Sequence, residues 1–521
     1  MFDIVINGGD VVDGTGSPRR RGNVGVVGDR IAEVSTEKLA GRREIDATGQ
    51  VVAPGFIDLH SHADYTLEGN PGASTQIHQG VTTLITGNCG HSPFPFTDLG
   101  LIRRASIIDD RALSWNWRDA AGFREIVDGA ALNVGLQVGH NAVRLAVLGD
   151  VDRAPDEDEL ARMCALVKTA AQQGVVGFST GLIYAPGVFA DAAEVRALVA
   201  AAASAGLLYS THMRNEAATL LDAVREAIEA AELSGARLEL SHLKAMGPEN
   251  HGKVVEALAL IDAARERGVD VAADVYPYTA SSTSLVSRLP AWAVDGGKDA
   301  LLARLADSAT RERIAAGLRA RFGRDVDPEG VIIADLPIGA ESPHMGLSIA
   351  EIGRRAGTDP AEAALRVLEE HAANVAIVNH AMSEADVETV LRHPWVSVAS
   401  DGWTLTERGE GRPHPRSFGT YARVLGRYVR ERGVLSIEDA VRKMAALPAA
   451  RARLTDRGVL AAGKAADIAV FDPDEIIDNS TFEQPWQLAT GCSTVLVNGV
   501  PVLLDGSATD RRGGAVLTPA A

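Results

Sequence analysis

The chain is poor in cysteine, with only Cys89, Cys164 and Cys492 among its 521 residues. So sparse and odd a set excludes a disulfide framework and fits a reducing cytoplasm. No run of 18 apolar residues occurs, so no membrane span is expected. The beginning, MFDIVINGGDVVDG, has no basic stretch leading into an apolar core and cleavage site, so it does not read as a signal peptide. A surplus of basic residues is also missing. There are 51 Lys and Arg against 69 Asp and Glu, a net charge of −18. That balance argues against nucleic acid or an anionic membrane as partner. It leaves room for an anionic small molecule, because a local basic pocket overrides the global field. Internal repeats and low-complexity tracts are absent as well, and the sequence sets no oligomeric state.

What is present is globular. Apolar residues make up 46% and charged residues 23%, ordinary values for a folded protein. The length exceeds one ordinary core. Both ends are strand-like: DIVINGGDVVDGTG and NVGVVGDRIAEV at the start, GVLAAGKAADIAVFDP and STVLVNGVPVLLDG at the finish. They predict a small β-sandwich domain built from 1–53 together with 454–521. The middle, 54–453, alternates short apolar runs with Ala-rich helical segments such as Glu216 to Glu232 and Val254 to Arg267. Buried strand followed by helix, repeated, is the pattern of an α/β fold, and at this length of a (β/α)8 TIM-like barrel. GVIIADL and NVAIVNH exceed the count of eight strands. An insertion within about 286–379 is therefore expected, and FGRDVDPEG in that span reads as loop.

Polar residues stand just after the apolar runs, where a barrel gathers its active-site loops. His60 and His62 follow FIDL, Cys89 follows VTTLIT, His212 follows LLYST, His242 follows LELS and Asp401 follows VSVAS. His60 and His62 share a strand face, since side chains alternate with period two, so both can reach one ion. Taken singly, each residue has a plainer reading. An H-x-H pair can be two surface or core imidazoles, Cys89 a buried structural thiol, and His212 and His242 caps or core residues. Asp401 before Gly402 can be an Asx-turn. Cys164 and Cys492 are read as structural thiols. Convergence on one end of five strands favours chemistry. A thiolate and two imidazoles make a three-ligand zinc set with an open position, and a carboxylate beside it is a general base and acid.

With these residues assembled, the chain resembles the amidohydrolase superfamily and, within it, the N-acyl-D-amino-acid deacylase (D-aminoacylase) family. The likeness runs through PGFIDLHSHAD, GVTTLITGNCGHSP, GFSTGLIYAPG, YSTHMRNE, SHLKAMG, DVYPYTASST, SDG and RPHPRSFGTYARVLG, and covers nearly the whole length. The resemblance implies a zinc-dependent amide hydrolase that splits N-acyl-D-amino acids into a carboxylate and a free D-amino acid. It assigns one tightly bound Zn2+ to Cys89, His212 and His242. A second, weaker metal position falls to His60 and His62 with Asp401 nearby. Asp401 is then the catalytic acid and base. Lys244, Arg416, Tyr184, Tyr276 and Ser282 hold the substrate, chiefly its carboxylate; for Lys244 and Arg416 the plain alternative is a structural ion pair. Many amidohydrolases bridge two metals with a carboxylated lysine on the fourth strand. VVGFSTGLIY holds no lysine, which leaves Cys89 as the anionic ligand. His91, after GNCG, and His380, in VNHAM, depart from the family's pattern. They keep open an alternative substrate, a cyclic amide, a lactone or another N-acylated amine.

Overall fold

The computed structural model describes residues 1–105, 113–337 and 342–520. Eight parallel strands form the central barrel. In sequence order they are Phe56–Asp58, Val81–Thr86, Asn133–Gly139, Gly177–Gly181, Leu208–His212, Arg237–Leu240, Val271–Val275 and Val396–Val398. Each pairs with its neighbour in that order, and a bridge between Ser61 and Gly402 links the first strand's end to the eighth's. The strands carry almost no exposed residue, because helices cover them outside and side chains fill them inside. That double burial explains why they read as continuous apolar runs rather than alternating ones.

The helices are set by their ends. Glu157–Gln172 starts with a capping box, Asp156 and Glu159 each accepting from the other's backbone N–H. Leu220–Ser234 buries Leu220, Val224, Ala227, Ile228 and Ala231 on one stripe and stops at Gly235, whose φ of 69° suits glycine. This second helix begins later than the sequence suggests. The periodicity extended it back to Glu216, but Asn215 Oδ1 accepts from the N–H groups of Ala217 and Thr219 at 2.8 and 3.0 Å. The local turn holds the backbone out of the helix until residue 220.

Both termini build a separate nine-stranded sheet. Val51–Pro54 lies antiparallel to Ile468–Phe471, joining the two ends of the protein. The two runs in excess of eight form a third sheet. Ala376–His380 lies between Ala280–Ser284 and Val331–Asp335, antiparallel to both. Helices between these strands, including Gly297–Ala306, Ser308–Arg319 and Pro360–Glu370, close over a core of their own with Leu301, Ile314, Leu318, Ile333 and Leu365. This layer roofs one side of the barrel mouth. Among the described residues, no helix is long and apolar enough to cross a membrane.

Candidate active site

Five strand ends deliver the site. His60 is fully buried after the first strand, Cys89, His242 and Asp401 follow the second, sixth and eighth, and His212 is the last residue of the fifth. Three of these residues sit in the left-handed region without being glycine: Cys89 at φ 54°, His242 at 37° and Asp401 at 51°. Such backbones cost roughly 1–3 kcal/mol each and persist only where the surroundings over-determine them. The ties are visible. Asp401 N donates to His60 O at 2.8 Å, and His242 N donates to Asp274 Oδ1 at 2.7 Å. Gly181 is required by close approach, since a Cβ there would lie 1.9 Å from the Cys89 carbonyl oxygen.

Cys89 is the hub. Its Sγ lies 3.3 Å from His60 Nε2, 3.6 Å from His212 Nδ1 and 3.5 Å from His242 Nε2. Two ligands of a tetrahedral zinc, at S and N bond lengths of about 2.3 and 2.0 Å, are separated by roughly 3.5 Å. The spacing therefore fits zinc ligation, as does the donor chemistry. Burial alone pushes the Cys89 thiol up, but His60 and His242 outweigh it and hold the thiol well below its usual range. Cys492 is the contrast, pushed up to about 12 by burial with no cation near. Burial likewise pulls His60 and His62 down, yet Cys89 and Asp401 bring His60 well above its ordinary value and His62 to about 9. The pocket's field favours a cation.

Asp401 faces His62 Nε2 at 3.0 Å and His60 Nε2 at 3.4 Å through Oδ1, while its Oδ2 accepts from Arg416 Nη1 at 2.6 Å. Burial raises its pKa, but Arg416 and His60 win and keep it well below the carboxylate range. Arg416 also donates to Ser282 O at 3.2 Å and lies 4.9 Å from the Tyr276 ring centroid. Its buried Nε has no hydrogen-bond partner among the described residues. Tyr184 Oη meets Thr283 Oγ1 at 3.1 Å. Lys244 Nζ donates to Glu216 Oε1 at 2.6 Å.

One pocket gathers ten of the eleven residues proposed from sequence; His60 lies directly behind it, against Cys89. The departures sit outside it. His91 is buried, edges Tyr184 and is pulled down to about 4 by burial; His380 is exposed and packs on Phe482.

Three residues of the site escaped the sequence reading. Asp274 accepts from His242 N and lies 3.4 Å from His60 Nδ1. Its signal was a carboxylate inside an apolar run. Glu216 lies between His212, His242 and Lys244. Its signal was its position four residues after a candidate ligand. Arg288 lies where the pocket opens into a cavity of about 670 Å³, and both spaces share Tyr184, Glu216, Met246 and Ser284. The Arg288 side chain is buried, uses Nε and Nη2 on Ser287 Oγ, and leaves Nη1 without a hydrogen-bond partner among the described residues. Burial lowers its pKa only to about 10, so it is a cation at neutral pH. Nothing in its local sequence marks it.

Residues 43–503 match the amidohydrolase family. The N-acyl-D-glutamate deacylase of Alcaligenes xylosoxydans xylosoxydans is 38% identical over 98% of this chain and 96% of its own. The crystal structure of the N-acyl-D-glutamate deacylase of Bordetella bronchiseptica, complexed with zinc and a phosphonate mimic of the tetrahedral intermediate, is 34% identical with a TM-score of 0.82, over 99% of both proteins. A D-aminoacylase structure, described by a binuclear metal center with one-metal activation and second-metal attenuation, is 33% identical with a TM-score of 0.83, over 99% of this chain and 100% of its own.

Proposed function

Because the chain belongs to the amidohydrolase family, we propose that it hydrolyses the amide bond of N-acyl-D-amino acids in a zinc-dependent reaction, releasing a carboxylate and a free D-amino acid. One observation carries the reading: a thiolate, three imidazoles and a carboxylate converge within hydrogen-bond distances, beside the buried cations Arg416 and Lys244. The similarity to N-acyl-D-glutamate deacylases and a D-aminoacylase supports it.

In this reading Cys89, His212 and His242 hold the tight zinc, and His60 and His62 line a weaker second position next to Asp401. Bound zinc supplies Lewis acidity, polarising the amide carbonyl and acidifying water to a pKa of about 7. Asp401 takes the proton of the attacking water and returns it to the departing nitrogen, which cannot leave as an anion. As water oxygen bonds to the carbonyl carbon and the C–N bond breaks, the proton ends on the free amine. Arg416, Lys244, Tyr184, Tyr276 and Ser282 orient the substrate's carboxylate, Arg416 through its planar donor fork and Lys244 as a point charge.

A hydrolysis screen tests this. N-acetyl and N-formyl amino acids in both enantiomers, with ring amides and lactones included, should show turnover confined to the acyclic substrates of D configuration. Equal rates on D and L forms, or turnover of ring amides alone, would overturn the assignment.

Arg288 extends the reading to the substrate's side group. It makes no ion pair among the described residues, Asp325 and Glu216 acting on it only from a distance, and it lines a cavity large enough for one end of the substrate. A second carboxylate, as in N-acyl-D-glutamate, satisfies it. A hydrogen bond to a charged group contributes about 1.5–3 kcal/mol. Arg288→Met should therefore lower the ratio of kcat/KM for N-acetyl-D-glutamate over N-acetyl-D-leucine by about 10- to 100-fold. An unchanged ratio removes Arg288 from recognition of that group.

A further inference from the structure

Glu216 is a buried carboxylate fixed from two sides. Upstream, the Asn215 turn sets its backbone, and its own carbonyl accepts from Met246 N at 2.7 Å. The residue is 3% exposed, and its carboxylate ends among cations and imidazoles. Oε1 lies 2.9 Å from His242 Nδ1 and 2.6 Å from Lys244 Nζ, and Oε2 lies 3.4 Å from His212 Nε2.

The two imidazoles present opposite atoms to Cys89. His212 turns Nδ1 toward the sulfur and His242 turns Nε2. Their outer atoms are thus Nε2 and Nδ1; His242 Nδ1 lies within hydrogen-bond distance of Glu216 Oε1, while His212 Nε2 faces Oε2 at 3.4 Å without a hydrogen bond among the described residues. An imidazole that donates its lone pair through one nitrogen carries its proton on the other, and that N–H needs an acceptor. A carboxylate that accepts and does not donate permits one tautomer of His242, and its charge favours the proton on the facing nitrogen of His212. Lys244 fits the same logic. Nζ lies 2.7 Å from His242 Nδ1, but two protonated nitrogens cannot bond one another. Lys244 instead donates to Glu216 and to His242 O at 2.9 Å, leaving its third N–H for the pocket.

We propose that Glu216 is a positioning residue that holds His242 in the tautomer and orientation zinc requires, biases His212 through its charge and ties Lys244 to the same frame. The inference rests on the reading of Cys89, His212 and His242 as zinc ligands. It makes the metal set and the carboxylate-binding lysine one mechanical unit rather than two neighbouring features.

Zinc affinity of the full-length protein, measured by competition with a coloured chelator, tests it without reference to turnover. Loss of such an outer partner weakens metal binding about 10- to 100-fold. Glu216→Gln should raise the zinc Kd by that factor. Glu216→Asp, which keeps the charge beside Lys244 but withdraws it from the rings, should do the same and serves if the first variant folds poorly. Lys244→Met should leave the Kd within about threefold. The double variant Glu216→Gln, Lys244→Met should stay as weak as Glu216→Gln alone. Wild-type affinity in both Glu216 variants overturns the proposal. So does recovery of affinity in the double variant, which would make Glu216 merely the counter-ion of Lys244. Cys89→Ala measured alongside separates the two levels. If it too binds zinc as wild type does, the ligand set itself is misassigned and Glu216 falls with it. If it loses zinc while the Glu216 variants do not, only the positioning role fails.

Discussion

Asp401→Asn should leave the protein's zinc content intact and cut kcat on an N-acyl-D-amino acid by about two to four orders of magnitude, the range expected when a positioned proton-transfer group is removed. The substitution is nearly isosteric, so what it removes is the ability to take a proton. Asp401 lies 3.4 Å from His60 and 3.0 Å from His62; it is near Cys89 and His242 as well, but its short contacts are to His60, His62 and Arg416, which in the proposed reading leaves the tight zinc to Cys89, His212 and His242. Its other oxygen accepts from Arg416 at 2.6 Å, and that cation is the main force keeping the carboxylate ionised against burial. In the proposed reading this ionised, buried carboxylate at a strained backbone position serves as the base. The variant strands the buried Arg416 charge, which costs about 3–5 kcal/mol if nothing else relaxes. A thermal melt must therefore accompany the kinetics. Folded, zinc-loaded Asp401→Asn with near-wild-type turnover would sink the proton-transfer role. Loss of zinc in step with activity would instead make Asp401 a ligand of the tight metal.

The barrel was legible because its strands are buried on both faces, which writes them into the sequence as unbroken apolar runs ending in polar residues. The same periodicity misled at one point that matters. Glu216 reads as an acidic residue in a helix's first turn, an ordinary place for one. The Asn215 side chain delays the helix by four residues, and the delay frees Glu216 to turn inward. That competition between side chain and backbone is too local for a period to register. Cys89 was legible as a candidate because the strand before it is clear, but its role as hub was not, since it depends on three imidazoles from three other strands. Arg288 was invisible for a different reason. What distinguishes it from the other buried arginines is that, among the described residues, it makes no ion pair while Arg144, Arg416, Arg451 and Arg457 each do, and such pairing is a property of the folded molecule alone. The surplus strands show the reverse case. The strand count exceeds eight, and the extra strands pair in a sheet of their own with Ala280–Ser284, because eight parallel strands close and further ones must pair elsewhere.

The second large effect is expected at Cys89. Cys89→Ala should weaken zinc binding by roughly two to three orders of magnitude, taking a four-ligand site's 10–16 kcal/mol as about 3 kcal/mol per ligand. His60→Asn and His62→Asn should cost only about tenfold, the loss expected of an outer partner. The order follows from charge and placement. Among the described residues the Cys89 thiol is the acidic group within 3.6 Å of both His212 Nδ1 and His242 Nε2, whereas His60 touches Cys89 and packs on His242 but does not reach His212 in the same way, and His62 pairs with Asp401. Without the thiolate, no anion remains on the side of His212 Nδ1 and His242 Nε2 that faces Cys89 among the described residues except Asp401, which is already tied to Arg416, and His212 and His242 alone leave two ligands where three are needed. Removing His62 leaves the Cys89, His212 and His242 triangle untouched, and removing His60 takes away a neighbour of the sulfur but no member of the triangle. Zinc per protein molecule after mild chelation, read for all three variants beside the wild type, decides it. If His60→Asn or His62→Asn loses more zinc than Cys89→Ala, the tight and weak positions are exchanged, and the first strand of the barrel rather than the second carries the metal that the reaction needs.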